Sequence, residues 1–325
     1  MKKGWRKLAA FLIVGILFPF IGKEGYLTHL AVTILIFSIL ASSLNLLMGY
    51  TGLVSMAHGA FFGIGAYTSG VLMIRAGFPF LIALALATAF TGLIALGLSI
   101  PSFRTKGIYY VIVTIAFQLI VSEIFDGWYS MTGGGLGLRG IPKPGQLTLP
   151  IVGTLSFQSK FGYYYLVLIF TVLIHLGIAR LIQSPVGISL EAIRDNETKA
   201  LMMGLNPLLY KIFVFVLASG LAGLAGGLYV HYLEFSHPDL FNFFVSVDLF
   251  LMVMLGGAGT FFGPPFGVLV LEMIREVLHE FVALRLFLYG VLLVTFIIFL
   301  PEGLLKPLAS LFRRFTSAGQ LPVDE

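Results

Sequence analysis

Residues 81–100 run for twenty positions without a charged side chain, and apolar runs of comparable length recur along almost the whole chain. A hydrocarbon core about 30 Å thick is crossed by about 20 helical residues. The run does not alternate apolar with polar residues as a membrane barrel strand must, whereas a helix satisfies its own backbone N–H and C=O groups in hydrocarbon. The chain is 58% hydrophobic and 11% charged, where a soluble domain carries about 25% charged residues, and its mean hydropathy is +0.99. The expected fold class is therefore all-α, a polytopic membrane protein of about ten transmembrane helices. Spans are placed near 8–21, 27–48, 57–75, 80–100, 108–127, 161–183, 210–232, 244–258, 263–280 and 285–300.

The N-terminal MKKGWRK precedes an apolar run, as in a signal peptide. No small-residue cleavage site follows, and a second apolar segment begins at once, so it reads as a retained first span with its basic end in the cytoplasm. Ten spans then put both termini inside. Thirteen of the twenty Lys and Arg residues fall on the inner side and seven outside, the bias that the positive-inside rule requires. The net charge of +5 is thus a topology signal, not a nucleic-acid one. With no cysteine, disulfides and thiolate chemistry are excluded. The organisation expected is one transmembrane domain over 1–305, a cytoplasmic loop at 184–209 within it, and a basic-to-polar cytoplasmic tail at 306–325. The Gly- and Pro-rich connection 128–160 lies outside and reads as an ordered irregular loop or short helix.

The polar stretch 183–211, QSPVGISLEAIRDNETKALMMGLNPLLYK, is an island between two spans. It has helical periodicity and groups Glu191, Arg194, Asp195, Glu197 and Lys199. An exposed amphipathic helix on the cytoplasmic face is a docking element for a soluble partner.

Two regions are dense in glycine: NLLMGYTGLVSMAHGAFFGIGAYTSG at 45–70 and MVMLGGAGTFFGPPFG at 252–267. Each contains Gly-x-Phe-Phe-Gly, and an uninterrupted helix is not expected through either. Irregular backbone at membrane depth lines a wet cavity or is buried in protein, and paired interruptions point to a transport pathway. The alternative is close helix packing through small residues. On the pathway reading, the lining residues are Asn45, Gly52, His58, Gly63, Gly65, Asp248, Gly256, Gly257 and Gly259. Glu123 and Asp126 also fall in a span, and ionisable groups there face the bundle interior or water. Glu272, Arg275, Glu276, His279 and Glu280 read as i,i+3 and i,i+4 pairs on a solvated turn. His231 and His237 read as loop residues rather than metal ligands. No P-loop and no catalytic signature occurs, so no catalytic residue, metal or cofactor is assigned, and a membrane enzyme is disfavoured.

Five ordered blocks carry a resemblance: LNLLMGYTGLVSMAHGAFFGIGAY at 44–67, TGGGLGLRGIP at 132–142, SPVGISLEAIRDNETKALMMGLN at 184–206, LASGLAGLAGGLY at 217–229 and SVDLFLMVMLGGAGTFFGPPFG at 246–267. The chain resembles the permease subunits of branched-chain amino acid ABC importers, of the LivM-like type. The resemblance implies that the island is a cytoplasmic coupling helix, with Glu191, Ala192, Ile193, Arg194, Asp195, Asn196 and Glu197 docking an ATPase and Gly204 ending the helix. Ile188 and Glu191 stand where the family commonly has basic residues. It further implies two ATP-binding subunits, a second homologous permease, an extracytoplasmic substrate-binding protein, and a multi-pass location in the inner membrane of a bacterium or archaeon. Permeases for urea or short amides are close relatives. An ion-coupled secondary transporter is the alternative outside the family, and Asp248 or Glu123 would then have to bind the ion.

Overall fold

The computed structural model describes residues 25–149 and 153–277, together with 287, 288, 290, 291, 294 and 295. The span expected at 8–21 lies outside the described residues, and the one at 285–300 almost entirely so. The other eight expected spans each coincide with a helix. They are α1 (Gly25–Thr51), α2 (His58–Ala76), α3 (Phe80–Ser102), α4 (Ile108–Gly127), α6 (Lys160–Gln183), α9 (Pro207–Leu233), α10 (Phe243–Gly256) and α11 (Gly263–Val277). Among the described residues, six stretches, including the turn 238–241 run on into α10, are long and apolar enough to cross a membrane. The all-α reading stands for the bundle.

Helix α1 is the axis of the bundle. It is buried on every side over most of its length, from Ala31 to Thr51, as expected of a helix that is apolar all round. Helix α9 packs beside it and against α2 and α3, through a stripe of glycines. A Cβ on Gly226 would stand 1.9 Å from the Phe62 carbonyl oxygen, and one on Gly65 would stand 2.0 Å from the Gly223 oxygen. Backbones in such contact require small residues on both helices. By contrast, α3 and α4 turn Leu93, Ile100, Ile108 and Ile112 outward, the surface that lipid or a second membrane chain would cover.

The connection after α4 is more regular than its composition suggests. It begins with a short helix, α5 (Tyr129–Thr132), and continues into a strand, β1 (Leu138–Arg139). Strands β2 (Gln146–Leu149) and β3 (Gly153–Ser156) form a hairpin with Gln146 opposite Ser156. Strand β1 pairs antiparallel with β4 (Phe235–Ser236), just past α9. The expected short helix is present, and to the expected irregular loop the structure adds hydrogen-bonded pairing, which strands of two to four residues do not reveal in sequence. Ile141 N–H also donates to the Glu234 carbonyl at 3.3 Å, and Lys143 pairs with Glu234 at 2.5 Å. These contacts define one end of the bundle. The island and the turns 52–57, 103–107 and 257–262 gather at the other.

Candidate coupling and translocation site

The island folds as two helices, not one: α7 (Pro185–Asp195) and α8 (Glu197–Met202). Ser184 caps the first, with Pro185 at its first position, and the Asn196 side chain accepts from Lys199 N–H at 3.0 Å to cap the second. Asn196 is extended (φ −162°) and thus breaks the periodicity within the segment assigned to docking. Gly204, at φ +84°, follows the end of α8. Leu190 and Ile193 are buried against the bundle, whereas Glu191, Asp195, Asn196 and Glu197 are exposed and Ala192 is partly so. Glu197 is tied to Lys211 at the start of α9 at 2.7 Å. Exposed apolar side chains surround these charges: Ile188, Leu201, Met202 (82% exposed) and Met203 (80%). Sequence reasoning on charge passed over them; their signal was apolar residues inside an otherwise polar island.

Arg194 is exposed as well, but unlike its neighbours it also bonds inward. Its Nη1 donates to the Gly49 carbonyl at 2.6 Å, in the last turn of α1. A Cβ on Gly52 would meet Arg194 Cγ at 3.3 Å, and one on Gly259 would meet Arg194 Nη1 at 3.1 Å. Gly52, Gly257 and Gly259 have φ of +72°, +104° and +76°, conformations that only glycine adopts without strain. Asn45 clamps the second turn from both sides: its Oδ1 accepts from Gly259 N–H at 2.9 Å and its Nδ2 donates to the Thr260 carbonyl at 3.0 Å. Gly256 closes the turn against Gly263, where a Cβ would stand 1.8 Å from the Gly263 oxygen. Asn45, Gly52, Gly256, Gly257 and Gly259 thus come together beside Arg194. A cavity of about 790 Å³ opens next to them, with Gly52, Tyr110, Arg194 and Lys211 among its walls.

The remaining assigned residues lie elsewhere. The break in the first glycine region is confined to 52–57; α2 runs unbroken through Gly59, Gly63, Gly65 and Gly70. Gly63 and Gly65 are packing positions, the former against Phe125 and Phe241 and the latter against Gly223. The expected interruption of 45–70 is thus present, but only at 52–57; at Gly63 and Gly65 the packing alternative holds, since close approach of neighbouring helices rather than an irregular backbone requires those glycines. His58 opens α2, is fully buried and lies edge-on to Phe61 at 6.3 Å. Among the described residues, neither of its ring nitrogens has a hydrogen-bond partner.

Helix α2 begins deep in the bundle, level with Gln118 halfway along α4. The Gln118 amide oxygen accepts from Ala60 N–H at 2.5 Å and from the Ser246 hydroxyl at 3.1 Å. Its amide nitrogen donates to the Phe241 carbonyl at 2.8 Å, and Ser246 Oγ accepts from Gly59 N–H at 2.9 Å. Helix-start N–H groups have no intrahelical partner, and hydrocarbon offers none, so these side chains supply it. Neither was singled out from sequence; a lone Gln amid an apolar span was the available signal.

Asp248 is buried on α10, where Arg275 Nη2 reaches its carboxylate at 2.5 Å while Nη1 holds Glu272 at 2.9 Å. The expected i,i+3 pair of Glu272 and Arg275 is present, but not on a solvated turn: Glu272 is buried, and the arginine also crosses to another helix. Glu276 is exposed, and His279 and Glu280 lie outside the described residues. Glu123 and Asp126 are exposed on α4. His231 is not a loop residue but part of α9, buried and bonded to Ser69 at 2.8 Å and to the Pro142 carbonyl at 2.9 Å. His237 does lie in the connection that follows, against the Gly135 carbonyl at 3.1 Å. Among the described residues, no group of three His, Asp or Glu could hold a metal ion.

A bundle of long apolar helices with glycine turns at one end, beside an amphipathic double helix, is the architecture of a multi-pass membrane protein. The chain belongs to the branched-chain amino acid transport system permease component family, which it matches over residues 26–299. It is 31% identical over 315 residues to the high-affinity branched-chain amino acid transport system permease protein LivM of Salmonella typhimurium, and equally to that of Escherichia coli, covering 92% of this chain and 74% of each relative. It is 28% identical over 230 residues to the probable LivM permease of Methanocaldococcus jannaschii, covering 64% of each chain. No solved structure matches it.

Proposed function

We propose that this chain is the membrane-spanning permease subunit of an ABC importer for branched-chain, aliphatic amino acids, driven by separate ATPases that dock on residues 184–209. The observation that carries the docking reading is the construction of the island. Its caps, its buried Leu190 and Ile193 and the Glu197–Lys211 pair fix it to the bundle, while Ile188, Leu201, Met202 and Met203 are presented outward among charges. An apolar centre with a polar rim is the anatomy of a protein interface, and methionine adapts readily to a partner's surface. Family membership supports the substrate class.

In this reading two ATP-binding subunits sit below the island end, which faces the cytoplasm of a bacterium or archaeon. A second, homologous permease completes the pathway, and a binding protein delivers substrate to the end that carries β1–β4. Closure of the ATPases rocks the bundle between two states, and the turns 52–57 and 257–262 lie where such movement enters it. Urea and short amides remain the comparison substrates. Asp248 is engaged by Arg275, which argues against an ion site there.

The test is purification of the chain, tagged at its C-terminus, from gently solubilised membranes. A second permease and two P-loop ATPases are expected with it, and proteoliposomes holding them and the binding protein should accumulate leucine, isoleucine or valine on addition of ATP. Recovery of the chain alone, stable and without any ATPase, would overturn the reading; uptake of urea in place of the amino acids would reassign the substrate.

A further inference from the structure

We infer that Arg194 is a positioning residue that carries movement of the island into the 257–262 turn, and not a residue that meets the ATPase. The inference rests on the proposed function, and it reverses the role that the sequence suggested for this side chain. Glu191, Arg194 and Asp195 are all exposed on this helix, the Arg194 side chain to 39%, but the Arg194 guanidinium also reaches the bundle and donates to Gly49. Its contact with Asp195, at 3.4 Å, is the longer of the two.

The acceptor is well chosen for a cation. Gly49 lies two residues before the end of α1, so its carbonyl belongs to the last turn, which lacks intrahelical partners and carries the negative end of the helix dipole. A hydrogen bond from a charged donor is shorter and roughly twice as strong as a neutral one. From there the contacts continue without a gap. Gly49 lies against the second turn so closely that a Cβ on it would stand 2.2 Å from Gly259 N. One helical turn earlier, Asn45 grips both Gly259 and Thr260.

Guanidinium, α1 terminus, Asn45 amide and glycine turn therefore form one contiguous set. The turn itself, with positive φ at Gly257 and Gly259, lies between α10 and α11. Leu190 and Ile193 also tie α7 to the bundle, but apolar packing is non-directional; among the described residues, the arginine supplies the directional bond from α7 to α1. Displacement of the island is then passed on as displacement of the turn.

The test uses the whole complex in proteoliposomes, with Arg194→Ala and Arg194→Lys. Because the chain has no cysteine, Ala258→Cys, at an exposed position in the turn, gives this chain one site for maleimide labelling, read on the separated chain, with and without a non-hydrolysable ATP analogue. In otherwise unaltered protein the labelling rate should depend on the analogue. Arg194→Ala should keep the ATPases at the normal ratio and still hydrolyse ATP. Leucine uptake per ATP should fall about tenfold, within the usual range for coupling between sites, and labelling should lose its dependence on the analogue. Arg194→Lys should restore part of both, since an ammonium can still donate to Gly49.

Normal uptake per ATP with analogue-dependent labelling in Arg194→Ala would overturn the inference. So would labelling indifferent to the analogue in protein that retains Arg194, or loss of the ATPases from the alanine variant, which would make Arg194 a docking contact. Absence of ATPases from the unaltered complex is a separate result, and would refute the importer reading instead.

Discussion

Gly226→Ala is the sharpest test of the packing between α2 and α9. The new Cβ would stand 1.9 Å from the Phe62 carbonyl oxygen and 2.9 Å from Ala66 N, where ordinary contact begins at 3.4 Å. The helices must therefore separate by 3.4 − 1.9 = 1.5 Å along the closest approach. Both neighbours are backbone atoms within α2, so no rotamer change can relieve the clash. A radial gap of only about 0.5–1 Å already forfeits a quarter to a half of a dispersion well, and overpacking a well-packed interior costs about 1–3 kcal/mol. A loss at the upper end, about 3 kcal/mol, is expected. It should be read by reversible denaturant titration in mixed micelles, beside Gly97→Ala. Gly97 has nothing within 4 Å of a new Cβ, and both variants share the gain of about 1 kcal/mol from replacing glycine by alanine in a helix. The difference between them isolates the clash. If Gly226→Ala falls within about 0.5 kcal/mol of Gly97→Ala, the usual scatter of an innocuous substitution, the close-packed account of this helix pair is wrong.

Three further outcomes are expected. Gln118→Leu removes the acceptor of Ala60 N–H and Ser246 Oγ and should destabilise the protein by about 1–3 kcal/mol for each buried group left unsatisfied, measured by the same titration. Met202→Asp with Met203→Asp should abolish recovery of the ATPases while leaving the far-ultraviolet circular dichroism unchanged; normal recovery would move the docking surface elsewhere. Arg275→Met removes the guanidinium that Asp248 and Glu272 both face and should cost about 3–5 kcal/mol, with part recovered on adding Asp248→Leu; no recovery would mean that the pair is not the source of the loss.

The eight spans that fall within the described residues were legible because apolar run length is a physical requirement of the bilayer, and their ends moved by only a few residues. The glycines were not. Gly59–Gly63 and Gly259–Gly263 share the pattern Gly-x-Phe-Phe-Gly, yet the first lies inside a helix and packs, whereas Gly259 in the second takes φ +76° in a turn. Local sequence cannot separate a glycine needed for its φ from one needed for its missing Cβ; the neighbouring helix decides. Arg275 was misread for the same reason: its spacing to Glu272 fits a solvated face, but Asp248, on another helix, is its second partner. The island's position between spans and its amphipathic pattern were readable, but not the inward turn of Arg194, whose acceptor lies 145 residues away.

The amide of Gln118 also bears on how the protein is made. Three of its partners lie 58, 123 and 128 residues away along the chain, and two of them, Phe241 and Ser246, are synthesised after α9. In a chain that enters the bilayer from its N-terminus onward, α2 arrives before α4, so its first N–H groups have no acceptor at that depth. Helix α2 can reach its final depth only once Gln118 is in place, and Gln118 is held in its final orientation only once the 238–246 segment has been inserted. Assembly of the bundle is therefore completed from its C-terminal half, and a nascent chain truncated before Ser246 should leave α2 displaced toward the nearer interface.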